Sequence, residues 1–122
     1  MANTNNPFGF RPKAPLGGYE WISKLPRFYL PSTYASNVFI GDPVIITGTS
    51  NTAAVTTVDG LFRIATLPEV NLATAGATNK ITGIVCGFSP TTRDSAIYGA
   101  ASTERIALVC VDPMMVYEIQ DD

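Results

Sequence analysis

The sequence predicts an all-β fold, a small β-barrel or jelly-roll-like sandwich with an extended N-terminal arm. The chain of 122 residues is 46% hydrophobic and only 15% charged, with ten glycines and nine prolines, which is typical of strands and turns rather than helices. Short apolar runs alternate with turn formers along most of the chain, whereas the first 33 residues are rich in proline and aromatic side chains. A chain of this length buries about two thirds of its unfolded surface in one core, so we expect one domain.

Eight short apolar runs after residue 33 are predicted to be strands. Asp59-Gly60 gives the strongest hairpin signal, because this dipeptide between two such runs suits a type I′ turn. Closely spaced short strands favour a sandwich or a barrel. The predicted strands are Asn37 to Ile40, Pro43 to Thr47, Ala53 to Val58, Leu61 to Thr66, Lys80 to Phe88, Ala96 to Tyr98, Ile106 to Val111 and Met114 to Ile119.

The N-terminal segment differs from the rest in charge and in proline content. Residues 1–30 carry four basic and one acidic side chain, a balance of +3, whereas residues 31–122 carry four basic and nine acidic ones, a balance of −5. Prolines at this spacing argue against a long helix and a central strand. We therefore predict an extended, partly polyproline-like arm over residues 1–33 and a β-domain over residues 34–122.

The arm combines aromatic side chains with positive charge, and its candidate contact residues are Phe8, Phe10, Arg11, Trp21 and Arg27. Aromatic and Arg side chains dominate interface energetics, so the arm suits docking on a neighbouring protein. Four basic residues make a thin groove for single-stranded nucleic acid, and no nucleic-acid partner is expected. A third interpretation, in which the arm folds back on its own core, stays open.

The residue types exclude much of enzyme chemistry. Without histidine, the chain has no Ser-His-Asp triad, no Cys-His dyad and no imidazole metal ligand. Cys86 and Cys110 lie inside apolar runs, so we expect buried reduced thiols, or a disulfide if their strands are neighbours. We predict no catalytic residue, no metal site and no cofactor, and an enzyme is the least favoured class of function.

Two acidic motifs have structural interpretations. Asp42 and Asp112 each precede a proline that opens an apolar run; paired carboxylates can serve glycoside chemistry, but Asp before Pro is an ordinary turn, and we interpret both as turn residues. The stretch from Ser102 to Arg105 is a candidate for a structural or interface salt bridge.

Targeting signals are not predicted. The polar start MANTNNPFGF has neither the basic nor the apolar region of a secretory signal peptide, and no apolar stretch approaches the roughly 18 residues that a membrane span needs. We expect synthesis in a reducing cytoplasm and no membrane partner.

Seven short phrases in a fixed order carry a family resemblance. They are Gly9-Phe10-Arg11-Pro12, Phe28-Tyr29-Leu30-Pro31-Ser32, Val38-Phe39-Ile40-Gly41-Asp42-Pro43-Val44, Ala73-Thr74-Ala75-Gly76-Ala77-Thr78-Asn79, Ile81-Thr82-Gly83-Ile84-Val85, Ala101-Ser102-Thr103-Glu104-Arg105 and Tyr117-Glu118-Ile119-Gln120. The resemblance that they carry extends over nearly the whole chain, and none of the phrases encodes chemistry. The sequence resembles the capsid decoration, or cement, proteins of tailed bacteriophages.

The resemblance implies a structural virion protein with a β-barrel or jelly-roll-like fold. It implies binding to the outer surface of an icosahedral head, where the protein clamps neighbouring major capsid subunits, after synthesis in the bacterial host cytoplasm. The implied partners are the major capsid protein and other copies of the chain, in a dimer or a trimer. An arm could join copies by strand addition or aromatic anchoring. The alternative is an exposed glycan- or host-binding module that uses Tyr34 and Tyr98.

Overall fold

A computed structural model of the protein describes residues 9–21, 25–51, 55–56, 63–64, 67–90 and 94–119. Every helix-or-strand element within these ranges is a β-strand, which confirms the all-β prediction. The strands are β1 (Phe10–Pro15), β2 (Arg27–Leu30), β3 (Pro43–Ser50), β4 (Val55–Thr56), β5 (Arg63–Ile64), β6 (Pro68–Leu72), β7 (Gly83–Ser89), β8 (Arg105–Cys110) and β9 (Met115–Ile119).

Five strands form the central sheet. In the order β2, β6, β3, β7, β8 each strand pairs with the next, and β8 pairs with β2, so the circuit of pairings closes. The pairings are antiparallel except that of β2 with β6, which is parallel and joins Tyr29 to Glu69. β2 closes the circuit because it lies between β6 and β8.

The core is built from the central sheet and from Val38, which lies in the segment before β3. In β2 the side chains of Phe28 and Leu30 are buried while Arg27 is exposed, the alternation expected of a strand with one face on a core. Tyr34, Leu72 and Phe88 pack against this core from its margin. The buried members of the cluster are Phe28, Leu30, Val38, Val44, Val70, Val85, Ala107 and Val109.

A glycine allows β7 and β8 to approach closely at one end of their ladder. A Cβ atom on Gly83 would lie 2.3 Å from the carbonyl oxygen of Cys110 and 2.7 Å from a methyl group of Val109. Any larger residue at position 83 would therefore push the two strands apart at this point.

Two smaller antiparallel pairs accompany the central sheet. β1 pairs with β9 from Phe10–Ile119 to Pro15–Met115, and we call this pair the ribbon. β4 pairs with β5 in the register of a hairpin, as the Asp59-Gly60 signal predicts, while the turn itself lies outside the described residues.

The structure differs from the predicted division at residue 33. β2 belongs to the central sheet, and β1 is paired with β9, so residues 10–15 and 27–30 are part of the β-domain rather than an extended arm. These contacts match the interpretation in which the N-terminal segment folds back on the chain. The proline argument fails here because Pro26 and Pro31 flank β2 without interrupting it.

Candidate protein-docking surface

A surface cleft lies between β1 and β7, and we call it the Trp21 cleft. Its volume is about 460 Å³. Three of the five predicted contact residues, Phe10, Arg11 and Trp21, line it together. The remaining lining comes from Pro12, Ile40, Val85 and Cys86.

Phe10 is positioned by a backbone contact with the loop before β3. Its N–H donates a hydrogen bond to the carbonyl oxygen of Gly41 (3.0 Å), and the N–H of Gly41 donates to Val85 (2.8 Å). A Cβ atom on Gly9 would lie 2.7 Å from the same Gly41 oxygen, and Gly9 has a φ of +72°, so glycine is required twice over at this approach. The Phe10 ring meets Tyr117 edge-to-face, with centroids 6.2 Å apart.

Arg11 supplies the charged side of the cleft. Its guanidinium lies 3.0 Å from one carboxylate oxygen of Glu118, and the Lys13 ammonium lies 3.5 Å from the other. All three side chains are exposed to solvent to a large degree, so these ion pairs orient the groups more than they stabilise the fold.

Trp21 follows a turn that is fixed to the β8–β9 connection. The N–H of Leu16 donates to Met114 (2.9 Å) and that of Gly18 donates to Pro15 (3.0 Å). The Tyr19 hydroxyl donates to the Asp112 carboxylate, and this hydrogen bond raises the pKa of Tyr19. The half-buried Trp21 thus extends from a segment held at both β1 and the β8–β9 connection.

The other two predicted contact residues do not join the cleft. Arg27 is exposed at the first position of β2, opposite Leu108, and it is not among the residues that line the Trp21 cleft. Phe8 lies outside the described residues. Of the four predicted contact residues that the structure describes, three lie together in the cleft and Arg27 lies elsewhere.

An exposed apolar strip shares one residue, Ile40, with the cleft, and sequence reasoning missed it as a contact surface. Ile40 lines the cleft and is 49% exposed. Beside it, Phe39 stacks on Tyr98 with centroids 5.0 Å apart, and Ile97 is 84% exposed. The bridge between Val38 and Gly99 brings these two segments side by side. We define the apolar strip as Phe39, Ile40, Ile97 and Tyr98.

The segments that carry the strip were predicted to be strands and form only this isolated bridge. One signal was available in the sequence: Val38, Phe39 and Ile40 are consecutive apolar residues. Side chains alternate in extended chain, so they cannot all face one core. In the fold Val38 is buried and the next two residues are exposed.

A buried arginine supports the strip from beneath. Arg105 is 3% exposed, and its guanidinium donates hydrogen bonds to the carbonyl oxygens of Ala96 (2.8 Å) and Tyr98 (3.0 Å). It lies 5.3 Å from the centre of the Phe88 ring, and burial lowers the pKa of Arg105. The predicted salt bridge of this stretch is replaced by these backbone contacts, while Glu104 accepts a hydrogen bond from Tyr29.

The acidic turn residues and the cysteines give no reactive site in the described part of the chain. Asp42 accepts a hydrogen bond from the N–H of Phe39 (2.9 Å) and Asp112 from that of Met114 (2.9 Å), which confirms their interpretation as turn residues. Cys86 and Cys110 lie on neighbouring strands, yet both are free thiols. Cys110 is buried as predicted, whereas Cys86 is half-buried at the cleft, and burial raises the pKa of Cys86 to about 11.

Comparisons of the chain with protein-family models, with curated proteins and with solved structures find no match. Within the described ranges, no three His, Cys, Asp or Glu side chains are grouped as metal ligands. The same ranges contain no helix of the length and apolarity needed to cross a membrane.

Proposed function

We propose that this protein is a capsid decoration protein, a structural virion component that binds the outer surface of an icosahedral bacteriophage head. In this proposal the closed central sheet is a small, rigid β-barrel, and the Trp21 cleft together with the apolar strip is the surface that docks on the major capsid protein. The family resemblance of the sequence suggests the partner, and the exposed aromatic surface suggests how the contact is made.

The observation that carries the proposal is that Ile40 both lines the cleft and belongs to the apolar strip. In the strip Phe39 is 48% exposed and Ile97 84% exposed, and the cleft that Ile40 lines also contains Trp21 and Phe10. Contiguous exposed apolar surface on a small protein marks an interaction site. Aromatic side chains with an arginine at the margin match the composition of protein–protein interfaces.

The mechanical role follows from the site of binding. A shell filled with packed DNA fails when neighbouring subunits separate. A rigid domain that contacts two subunits adds buried surface across their seam, and many copies act together. Other copies of the chain are proposed as further partners in a dimer or a trimer, and no nucleic acid, membrane, metal or cofactor enters this function.

The alternative module for glycans or host surfaces draws less support from the geometry. Its candidate features are Tyr34, Tyr98 and turns rich in Thr and Ser. Tyr34 packs against the core and its hydroxyl accepts a hydrogen bond from the N–H of Leu72 (3.1 Å). Tyr98 is stacked on Phe39.

Co-sedimentation with expanded heads that lack the protein tests the proposal, at low and at high salt. We expect saturable binding at a simple ratio to the major capsid subunit. Trp21→Ala and Ile97→Glu should each weaken binding about tenfold or more, as expected for central interface residues. Ile46→Glu is the matched control, because Ile46 is exposed on β3 and belongs to neither the cleft nor the strip.

Absence of binding at both salt concentrations would overturn the proposal, and binding to a glycan array would then support the alternative. Equal binding by Ile97→Glu and Ile46→Glu would keep the decoration role but remove the apolar strip from the contact. Salt dependence reports the contribution of Arg11 and Lys13, since exposed charges are screened at high ionic strength.

A further inference from the structure

The ribbon has two edges, and one of them is β9. The N–H of Phe10 donates to Gly41 and so points away from β9. In an antiparallel pair, opposite residues alternate between those that exchange hydrogen bonds and those that do not. Phe10 and Ile119 are therefore a non-hydrogen-bonded pair, and the N–H and C=O of Ile119 point to the outer edge of β9.

The same alternation places a second set of groups at this edge. Pro12 and Tyr117 are opposite each other two residues further along. They are again a non-hydrogen-bonded pair, in agreement with the lack of an N–H on Pro12. The outer edge of β9 thus presents the N–H and C=O of Tyr117 and Ile119, the pattern that an added strand requires.

The outer edge of β1 is unsuited to strand addition. Pro12 has no N–H to offer there, and the N–H of Phe10 is taken by Gly41. The ladder shifts register between Pro12 and Ala14, and Pro15 lies opposite Met115 beyond that bulge. Leu16 donates inward to Met114, so Pro15 also faces outward. Prolines and a bulge are devices that protect an edge strand from pairing.

We propose that two copies of the chain associate through β9, which pairs antiparallel with β9 of the second copy about a twofold axis. The product is a four-stranded sheet with β1 of each copy at its two outer edges. Both of those edges are blocked by proline, so assembly stops at two copies. This inference rests on the self-association included in the proposed function. It adds that the copies meet at β9 and that the assembly contains two of them.

The side chains and charges at β9 are compatible with a second copy of β9 beside it. Val116 is 45% exposed and Ile119 57% exposed, and a second ribbon would cover part of both. Glu118 is already paired with Arg11 and Lys13 of its own ribbon, so a second β9 does not meet an uncompensated carboxylate. A two-stranded pair is marginal in water, whereas four strands support one another.

Sedimentation equilibrium of the full chain tests the inference, with two variants at one position. Ile119→Pro removes an N–H from the outer edge and none from the β1 ladder, whereas Ile119→Thr keeps the N–H and shortens the apolar side chain. We expect a dimer for the natural chain, at most about tenfold weaker association for Ile119→Thr, and a monomer for Ile119→Pro. A monomeric natural chain at all concentrations, a trimer, or a dimeric Ile119→Pro variant would overturn the inference.

Amide hydrogen exchange decides the question should Ile119→Pro disturb folding. In the natural chain, the N–H groups of Tyr117 and Ile119 should be protected at high protein concentration and exchange faster on dilution. The N–H of Glu118 faces β1 and should be protected equally at both concentrations. Protection of all three that is independent of concentration would contradict pairing between copies. Binding to phage heads is measured in a separate co-sedimentation experiment. A chain that does not dimerise would therefore overturn this inference without deciding whether the protein decorates the capsid.

Discussion

The hydroxyl of Tyr29 donates a hydrogen bond of 2.5 Å to the carboxylate of Glu104, which joins the middle of β2 to the residue before β8. Partial burial and this hydrogen bond raise the pKa of Tyr29 from its ordinary value of 10.0 to about 12. This hydrogen bond therefore stabilises the position of β2, the strand that closes the central sheet.

Alkaline pH should weaken the fold through Tyr29. A pKa raised in the folded state contributes stability that is complete below pH 10 and is lost as the pH rises toward 12. Tyr29→Phe should cost about 0.5 to 1.5 kcal/mol in the free energy of unfolding at pH 8. Urea unfolding of both proteins from pH 8 to pH 12 should show this difference shrinking above pH 10. A constant difference would contradict the proposed titration.

Cys86 should react slowly for a thiol that lines a surface cleft. Burial raises its pKa from 9.0 to about 11, so the thiolate fraction at pH 8 falls about a hundredfold. We expect iodoacetamide labelling of a Cys110→Ser variant to be about a hundredfold slower at pH 8 than labelling of a free thiol, and to accelerate up to pH 11. A rate equal to that of the free thiol would show that the cleft is open to solvent at Cys86.

Gly83 and Gly87 provide a matched pair on β7. Gly83→Ala places a methyl group 2.3 Å from the backbone oxygen of Cys110, and it should lower the free energy of unfolding by about 1 to 3 kcal/mol. Gly87→Ala meets its nearest neighbour, a methyl group of Leu108, at an ordinary 3.8 Å, and should be tolerated. Thermal melts of the two variants check the contrast, which equal melting temperatures would refute.

Arg105 should be far more important to stability than its neighbours on the surface. Arg105→Met leaves the carbonyl groups of Ala96 and Tyr98 without their donor, and we expect a loss of about 2 to 4 kcal/mol in the free energy of unfolding. Arg105→Lys keeps the charge but not the planar guanidinium. Its free energy of unfolding should therefore lie between those of the natural chain and of Arg105→Met. Urea titration measures both losses. An unchanged free energy of unfolding in Arg105→Met would mean that the segment of Ala96 and Tyr98 does not depend on the hydrogen bonds from Arg105.

The sequence allowed the strand content to be predicted, but not the way in which the N-terminal segment joins the sheet. β2 is only four residues long, and its alternation of Phe28 and Leu30 is too brief to stand out between two prolines. β6 was missed although Val70 and Leu72 alternate with polar residues, because two alternating apolar residues are too short a pattern to distinguish a strand from a loop. Both segments are strands because of their distant partners rather than their own composition.

The candidate surface was predictable only in part for the same reason. Phe10, Arg11 and Trp21 were chosen for their residue types, and the cleft unites them through the contact of Phe10 with Gly41. The apolar strip depends on the bridge between Val38 and Gly99, which are far apart in sequence. No local pattern specifies which distant exposed segment will lie beside another.

The closure of the central sheet by β2 also bears on how a newly made chain reaches this fold. The Tyr29–Glu104 bond spans 75 residues, and the Arg11–Glu118 ion pair spans 107. Pairings of such high contact order form slowly, because chain entropy must be lost before they contribute stability. While the ribosome is still translating β8 and β9, β2 lacks one of its two partner strands, and Phe28 and Leu30 lack the core side chains of Ala107 and Val109. We therefore expect the fold to be completed only once β8 and β9 have been synthesised, with a nascent chain that exposes apolar surface and benefits from chaperones in the meantime.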